Sequence, residues 1–176
     1  MRSIEPIAKL DLAFSLFCLQ HKFSYPLSRV SRAISHTGDG HLYAFFGLAA
    51  SGFGGGNGQQ FLLVGLMAFA IELPIYWGVK NLFKRRRPHD CSELVTSFIT
   101  PSDRYSLPSG HTAAAFLMAT LMSYWYVDLT IFAFAWASLI ASARILLGVH
   151  FLTDVILGAA LGVGCAKLAM LLAGGI

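Results

Sequence analysis

Charge is what this chain has least of. Its 13 Lys and Arg and 9 Asp and Glu make up 12% of 176 residues, while 56% are hydrophobic. A soluble domain carries about 25% charged residues, so half of that points to a bilayer as the solvent. The mean hydropathy of +0.63 agrees. Cysteine is scarce too. Cys18, Cys91 and Cys165 are odd in number and far apart, which excludes a disulfide framework and zinc-finger spacing. Basic residues interleaved with aromatics on a polar surface are missing, and the net charge is only +4, so nucleic acid is not an expected partner. Glu5 and Asp11 stand where a secretion signal would have its basic and apolar regions, so no cleavable leader is expected. Internal repeats and low-complexity tails are absent, and the length fits one domain.

What the chain does have is apolar runs. A hydrocarbon core about 30 Å thick needs about 20 helical residues. Residues 61–79, 109–127, 129–148 and 151–172 come close to that, and 42–53 forms a shorter fifth candidate. Residues 7–22 are too short in their apolar part to cross and are predicted to lie flat as an interfacial helix. Residues 24–35 read as a short polar-faced helix or loop, and 52–60 as a glycine-rich turn. The expected fold is therefore all-α, a polytopic transmembrane bundle of about five spans plus an N-terminal interfacial helix. It forms one domain, with 1–37 as the interfacial region and 38–176 as the core bundle. Gly158, Gly162 and Ala166, four residues apart, offer a small-residue face for close helix packing.

If the five spans alternate, the end of the second, the start of the third, and the junction of the fourth and fifth share one membrane face. The unusual polar residues gather there. Lys80 and Arg87 are seven residues apart, two turns, and would share a helix face if the helix runs that far. Pro88 would stop it. Lys84, Arg85 and Arg86 read equally well as a basic stop-transfer flank. Pro108, Ser109 and Gly110 signal a helix start, whose free N–H groups and positive dipole end make an anion site, with His111 in its first turn. Arg144 closes the fourth span, His150 opens the fifth, and Asp154 follows one turn later, where it could orient the imidazole. Ionisable groups so close to apolar membrane helices are costly, so function is the default reading. Three cations, an anion-binding helix start and two histidines suit phosphoryl transfer. The histidines could instead be metal ligands, but the three cations would oppose a dication.

These residues resemble the type-2 phosphatidic-acid phosphatase superfamily of membrane lipid phosphatases. The match runs as K-x6-R-P (Lys80 to Pro88), P-S-G-H (Pro108 to His111) and R-x5-H-x3-D (Arg144 to Asp154). One departure is Ala143, where the third motif usually has serine before its arginine. The resemblance implies that His150 is the nucleophile and forms a phosphohistidine, oriented by Asp154, and that His111 protonates the leaving group. It further implies phosphate binding by Lys80, Arg87, Ser109, Gly110 and Arg144, with no metal and no cofactor. Vanadate haloperoxidases look similar at the same motifs, but the hydrophobicity of this chain argues against one.

The implied partners are a lipid phosphate and the surrounding membrane lipids. Undecaprenyl diphosphate is the favoured substrate, with phosphatidylglycerophosphate and phosphatidic acid behind it. A transporter or channel would spread its ionisable groups through the membrane, whereas here they cluster at one face, with Glu72 the main exception. Glu72 is expected to be a buried carboxylate paired to a basic neighbour, and Pro74 to kink its helix. A catalytically dead lipid-binding relative is the third reading, and the intact His111, His150 and Asp154 argue against it. The 19-residue connection 89–107 is the candidate lid or headgroup reader. The expected location is a bacterial inner membrane with the site facing the periplasm. The Lys and Arg bias of that face would by itself place it in the cytoplasm.

Overall fold

The computed structural model describes residues 5–20 and 24–174, and among them every regular element is helical. The elements are α1 (Glu5–Leu19), α2 (Ser24–His36), α3 (His41–Phe53), α4 (Gly55–Phe83), α5 (Pro88–Cys91), α6 (Gly110–Trp125), α7 (Thr130–Leu146) and α8 (Leu152–Leu172), with a 3-10 turn at Val127–Leu129. His21 and Lys22, at the end of the expected interfacial segment, lie outside the described residues, as do 1–4 and 175–176.

Residues 24–35 resolve into a helix, α2. Its Ser28, Ser31 and Ser35 are buried at helical spacing, a small-residue face that packs on α7. The expected glycine-rich turn is much tighter than its composition implies. Phe53 ends α3, Gly54 makes the corner, and Gly55, at φ 58, already begins α4. Pro74 sits inside α4 without ending it.

Among the described residues, three segments are long and apolar enough to cross a membrane: Gly55–Cys91, Val127–Leu146 and Leu152–Leu172. The 13 residues of α3 and 16 of α6 rise only about 20 and 24 Å. Their lengths do not by themselves make up the expected five spans. The reason for α6 lies in its position. It packs against α4, α7 and α8 at once, and Ala113, Ala115, Leu117, Ala119 and Leu121 are all buried. It is the central post of the bundle.

The small-residue face of α8 is what lets α6 in. A Cβ added at Gly162 would stand 2.0 Å from the Ala113 carbonyl oxygen, and one at Gly158 would stand 2.6 Å from that of Ser109. Ala166 is fully buried on the same face. Backbone meets backbone here, so only the missing side chains allow the approach. A Gly162→Val substitution should therefore destabilise the fold by about 3 kcal/mol, at the upper end of overpacking costs. Gly164→Ala, which points into open space, should change little. Thermal unfolding of both variants in detergent checks this, and equal midpoints would contradict the close crossing.

Candidate active site

Lys80 projects from the last turn of α4, but α4 does not continue to Arg87 as the spacing suggested. It ends at Phe83, and Lys84 closes it in a left-handed conformation with φ 47. Residues 84–87 are non-helical, and Arg87 is the extended residue that starts α5. The two cations are brought together by tertiary structure. Asp103, in the 92–109 loop, accepts from Lys80 Nζ at 2.6 Å and from Arg87 Nη2 at 2.5 Å. The Tyr76 hydroxyl, one turn before Lys80, donates to the same carboxylate at 2.7 Å. Arg87 is further fixed by the carbonyls of Val149, Asp103 and Tyr105.

Ser109 is the N-cap of α6, and the helix starts at Gly110. The Ser109 amide donates to the Asp154 carbonyl at 3.0 Å, which ties the second motif to the third. Its hydroxyl accepts from Thr112 Oγ1 and is fully buried, so it stands behind the site wall. His111, in the first turn, donates from Nε2 to Asp39 Oδ1 at 2.7 Å, and Asp39 Oδ2 accepts from His36 at 2.5 Å. Asp39 lies in the α2–α3 turn, where burial pushes its carboxyl up but the two histidines outweigh that and hold it low.

The third motif straddles a turn. Arg144 is in the last turn of α7 and donates from Nη1 to Ser35 Oγ at 2.7 Å, while its buried Nε has no hydrogen-bond partner among the described residues. Gly148, at φ +73, turns the chain where a side chain would strike the Thr96 carbonyl. His150 follows, buried and two residues ahead of α8. Asp154 is therefore not on the same helix turn as His150. Its Oδ2 accepts the Phe151 amide at 2.8 Å and stands 3.7 Å from His150 Nδ1, at ion-pair and not hydrogen-bond distance.

Arg87, Gly110, His111, Arg144 and His150 line one cavity of about 740 Å³, together with Asp103 and Tyr76. Lys80 reaches it through Asp103 and Tyr76, and Ser109 and Asp154 sit behind it. The far wall is apolar, with Gly47, Phe61, Leu66, Phe69 and Met118 from α3, α4 and α6. One end thus suits an anion and the other a hydrocarbon chain. Glu72 lines the same cavity and is 2% exposed. The basic neighbour expected for it is missing among the described residues, because Lys80, two turns away, is taken by Asp103.

Sequence reasoning missed Asp103, Asp39, Tyr76, Asp11 and Arg85. Arg85 was legible only as part of a basic flank. In the structure its Nη1 donates to Asp154 Oδ1 and its Nη2 to Asp11 Oδ2, both at 2.6 Å. Only His36–Asp39 and Tyr76–Lys80 are at helical spacing; the contacts of Asp103 with Arg87 and of Arg85 with Asp11 span 16 and 74 residues, beyond what local spacing signals.

The PAP2 superfamily model matches residues 42–175. Among solved structures, that of Aquifex aeolicus LpxE is similar with a TM-score of 0.79 and 26% identity, over 92% of this chain and 94% of that one. The structure titled the first transmembrane PAP2 type phosphatidylglycerolphosphate phosphatase from Bacillus subtilis has a TM-score of 0.75 and 24% identity. It covers 99% of this chain and 90% of that one, a likeness of fold.

Asp103 sets a pH signature. Burial raises its carboxyl, but the hydrogen bonds and charges of Lys80, Tyr76 and Arg87 outweigh that and bring it down from 3.8 to about 2. A depressed carboxylate stabilises the fold above its unfolded value, and the contribution is lost as pH falls through its folded value. The melting temperature of the wild type should exceed that of Asp103→Asn above about pH 4 and converge with it as pH approaches about 2. A gap that persists unchanged to the acid end would refute the pairing.

Proposed function

The chain belongs to the PAP2 superfamily and is a membrane lipid phosphatase, and on that premise we propose that it cleaves a lipid phosphate or diphosphate through a phosphohistidine. The observation that carries this reading is the cavity itself, whose cationic end holds two histidines and an unpartnered buried Arg144 Nε and whose other end is apolar. A buried donor without an acceptor is costly, and a phosphate oxygen would supply the acceptor.

The chemistry follows from the groups. Neutral His150 attacks phosphorus with a ring-nitrogen lone pair, forming the N–P bond as the bond to the leaving oxygen breaks. His111 gives its proton to that oxygen. Water then attacks the phosphohistidine, its proton passes to His111, and the N–P bond breaks to release inorganic phosphate. Arg87, Arg144 and Lys80 hold the non-bridging oxygens, with the Gly110 end of α6 as a further donor and Ser109 supporting it from behind. Asp154 stabilises the cationic imidazole. These cations do the charge stabilisation that a metal ion would otherwise supply.

Undecaprenyl diphosphate is the proposed substrate, ahead of phosphatidylglycerophosphate and phosphatidic acid. We place the site on the periplasmic face of a bacterial inner membrane. Lys80, Arg85, Arg87 and Arg144 are engaged in fixed contacts of the site, so they are weak evidence for the opposite orientation.

Purified enzyme in detergent should hydrolyse a lipid phosphate in excess chelator. Complete loss, restored by zinc or magnesium, would overturn the mechanism. His150→Ala should abolish turnover, and Asp154→Asn should lower kcat by about 10²- to 10⁴-fold, as for other orienting carboxylates. Comparing kcat/KM for the three lipids with a water-soluble phosphate ester tests the substrate class. A soluble ester turned over as well as the best lipid would refute it, and a clear win for either phospholipid would replace undecaprenyl diphosphate.

A further inference from the structure

Arg85 lies outside the motif positions, yet it is the side chain most firmly bonded to the partner of the nucleophile. Its Nη1 donates to Asp154 Oδ1 at 2.6 Å and to Thr153 Oγ1 at 2.7 Å. Its Nη2 donates to Asp11 Oδ2 at 2.6 Å. Its guanidinium lies over the ring of Phe151, 4.3 Å from the centroid, and Phe151 adjoins His150. Asp11, in α1, is 3% exposed and also receives the amide and the hydroxyl of Thr153. One planar fork thus spans α1, the α4–α5 linker and the start of α8.

We propose that Arg85 is a positioning residue for the nucleophile pair, holding the Asp154 carboxylate behind His150 and making α1 part of the active-site scaffold through Asp11. The proposal rests on the assignment of His150 as nucleophile and Asp154 as its partner. The geometry supports it in two ways. Asp154 has no exposure, and a buried carboxylate needs a paired charge and hydrogen bonds on both oxygens to stay ionised and fixed. The Phe151 amide holds Oδ2 and Arg85 holds Oδ1, so Oδ2 is kept as the oxygen that faces His150. A lysine carries the charge but not the planar fork that bridges two carboxylates.

The second support is electrostatic. His150 feels Asp154 from α8, Arg144 from α7 and Arg87 from the α4–α5 linker, while Asp11 stands beyond Arg85 and His111 and Asp103 share the cavity. His150 lies in the turn between α7 and α8, where burial and the two arginines keep it below its ordinary range against the pull of Asp154. An imidazole must be neutral to attack phosphorus. Arg85 draws on the negative charge of Asp154 and limits how far it favours the imidazolium. Without Arg85 that charge acts in full, and the nucleophile protonates at higher pH.

The test uses the full-length enzyme in detergent micelles with phosphatidic acid, undecaprenyl diphosphate and phosphatidylglycerophosphate, taking the best turned over for pH profiles. Arg85→Met should lower kcat on the order of 10²-fold, the cost of a displaced catalytic group, with KM within about threefold. Its acid limb in kcat/KM should move to higher pH. Arg85→Lys should restore the acid limb but only part of kcat, and Asp11→Asn should show a smaller loss of kcat. A folded Arg85→Met with wild-type kcat and acid limb overturns the proposal, as does a loss confined to KM. If Arg85→Met does not fold, Arg85→Lys and Asp11→Asn decide, and wild-type kcat in both overturns it. His150→Ala separates the two readings. Activity in that variant sinks the nucleophile assignment and the proposal together, whereas a dead His150→Ala beside a wild-type-like Arg85→Met sinks the proposal alone.

Discussion

The close crossing of α6 and α8 is the contact on which the site depends. At Gly158 and Gly162 the backbones approach so nearly that a single added carbon would collide with the Ser109 or Ala113 carbonyl. That approach lets the Ser109 amide reach the Asp154 carbonyl and fixes the start of α6 against the start of α8. His111 and His150, from two different motifs, come to one cavity because of it. Hydrophobic attraction cannot specify such a contact within lipid, where the surroundings are as apolar as the helices. Backbone-close packing can.

Burying three cations near the membrane sets the second constraint. Lys80, Arg87 and Arg144 are at most 5% exposed, and a charge taken from water must be paired or hydrogen-bonded. The structure answers mostly with groups from outside the three motifs. Asp103 serves Lys80 and Arg87, Asp39 serves His111, Ser35 serves Arg144, and Asp11 with Asp154 serves Arg85. Asp103 occupies two of the cations expected to hold phosphate. That carboxylate keeps these two buried cations paired and makes the loop part of the site's electrostatics.

The cavity joins this charged end to an apolar wall contributed by α3, α4 and α6. Glu72, buried on that wall with no ion pair among the described residues, is a carboxylate in these apolar surroundings. The short helices α3 and α6 thus do more than count toward spans. They build the wall along which a hydrocarbon chain can lie, while the long α4 carries both the wall and Lys80.

The sequence by itself determined the all-helical membrane class, because low charge and long apolar runs leave few other solutions. It also determined the small-residue face of α8 and the three clusters of polar residues at span ends. Local spacing was enough for these, since helix periodicity and motif order are short-range properties. It misjudged what depends on where helices stop. Lys80 and Arg87 meet across a helix end instead of along a helix, and His150 precedes α8 instead of opening it. Only the tertiary structure decided the partners of the charges. Asp103, Asp39, Asp11 and Arg85 look like ordinary loop, turn and flank residues in the chain. Their roles arise because a low-dielectric interior favours a counter-charge for a buried charge, wherever along the chain the fold brings one near.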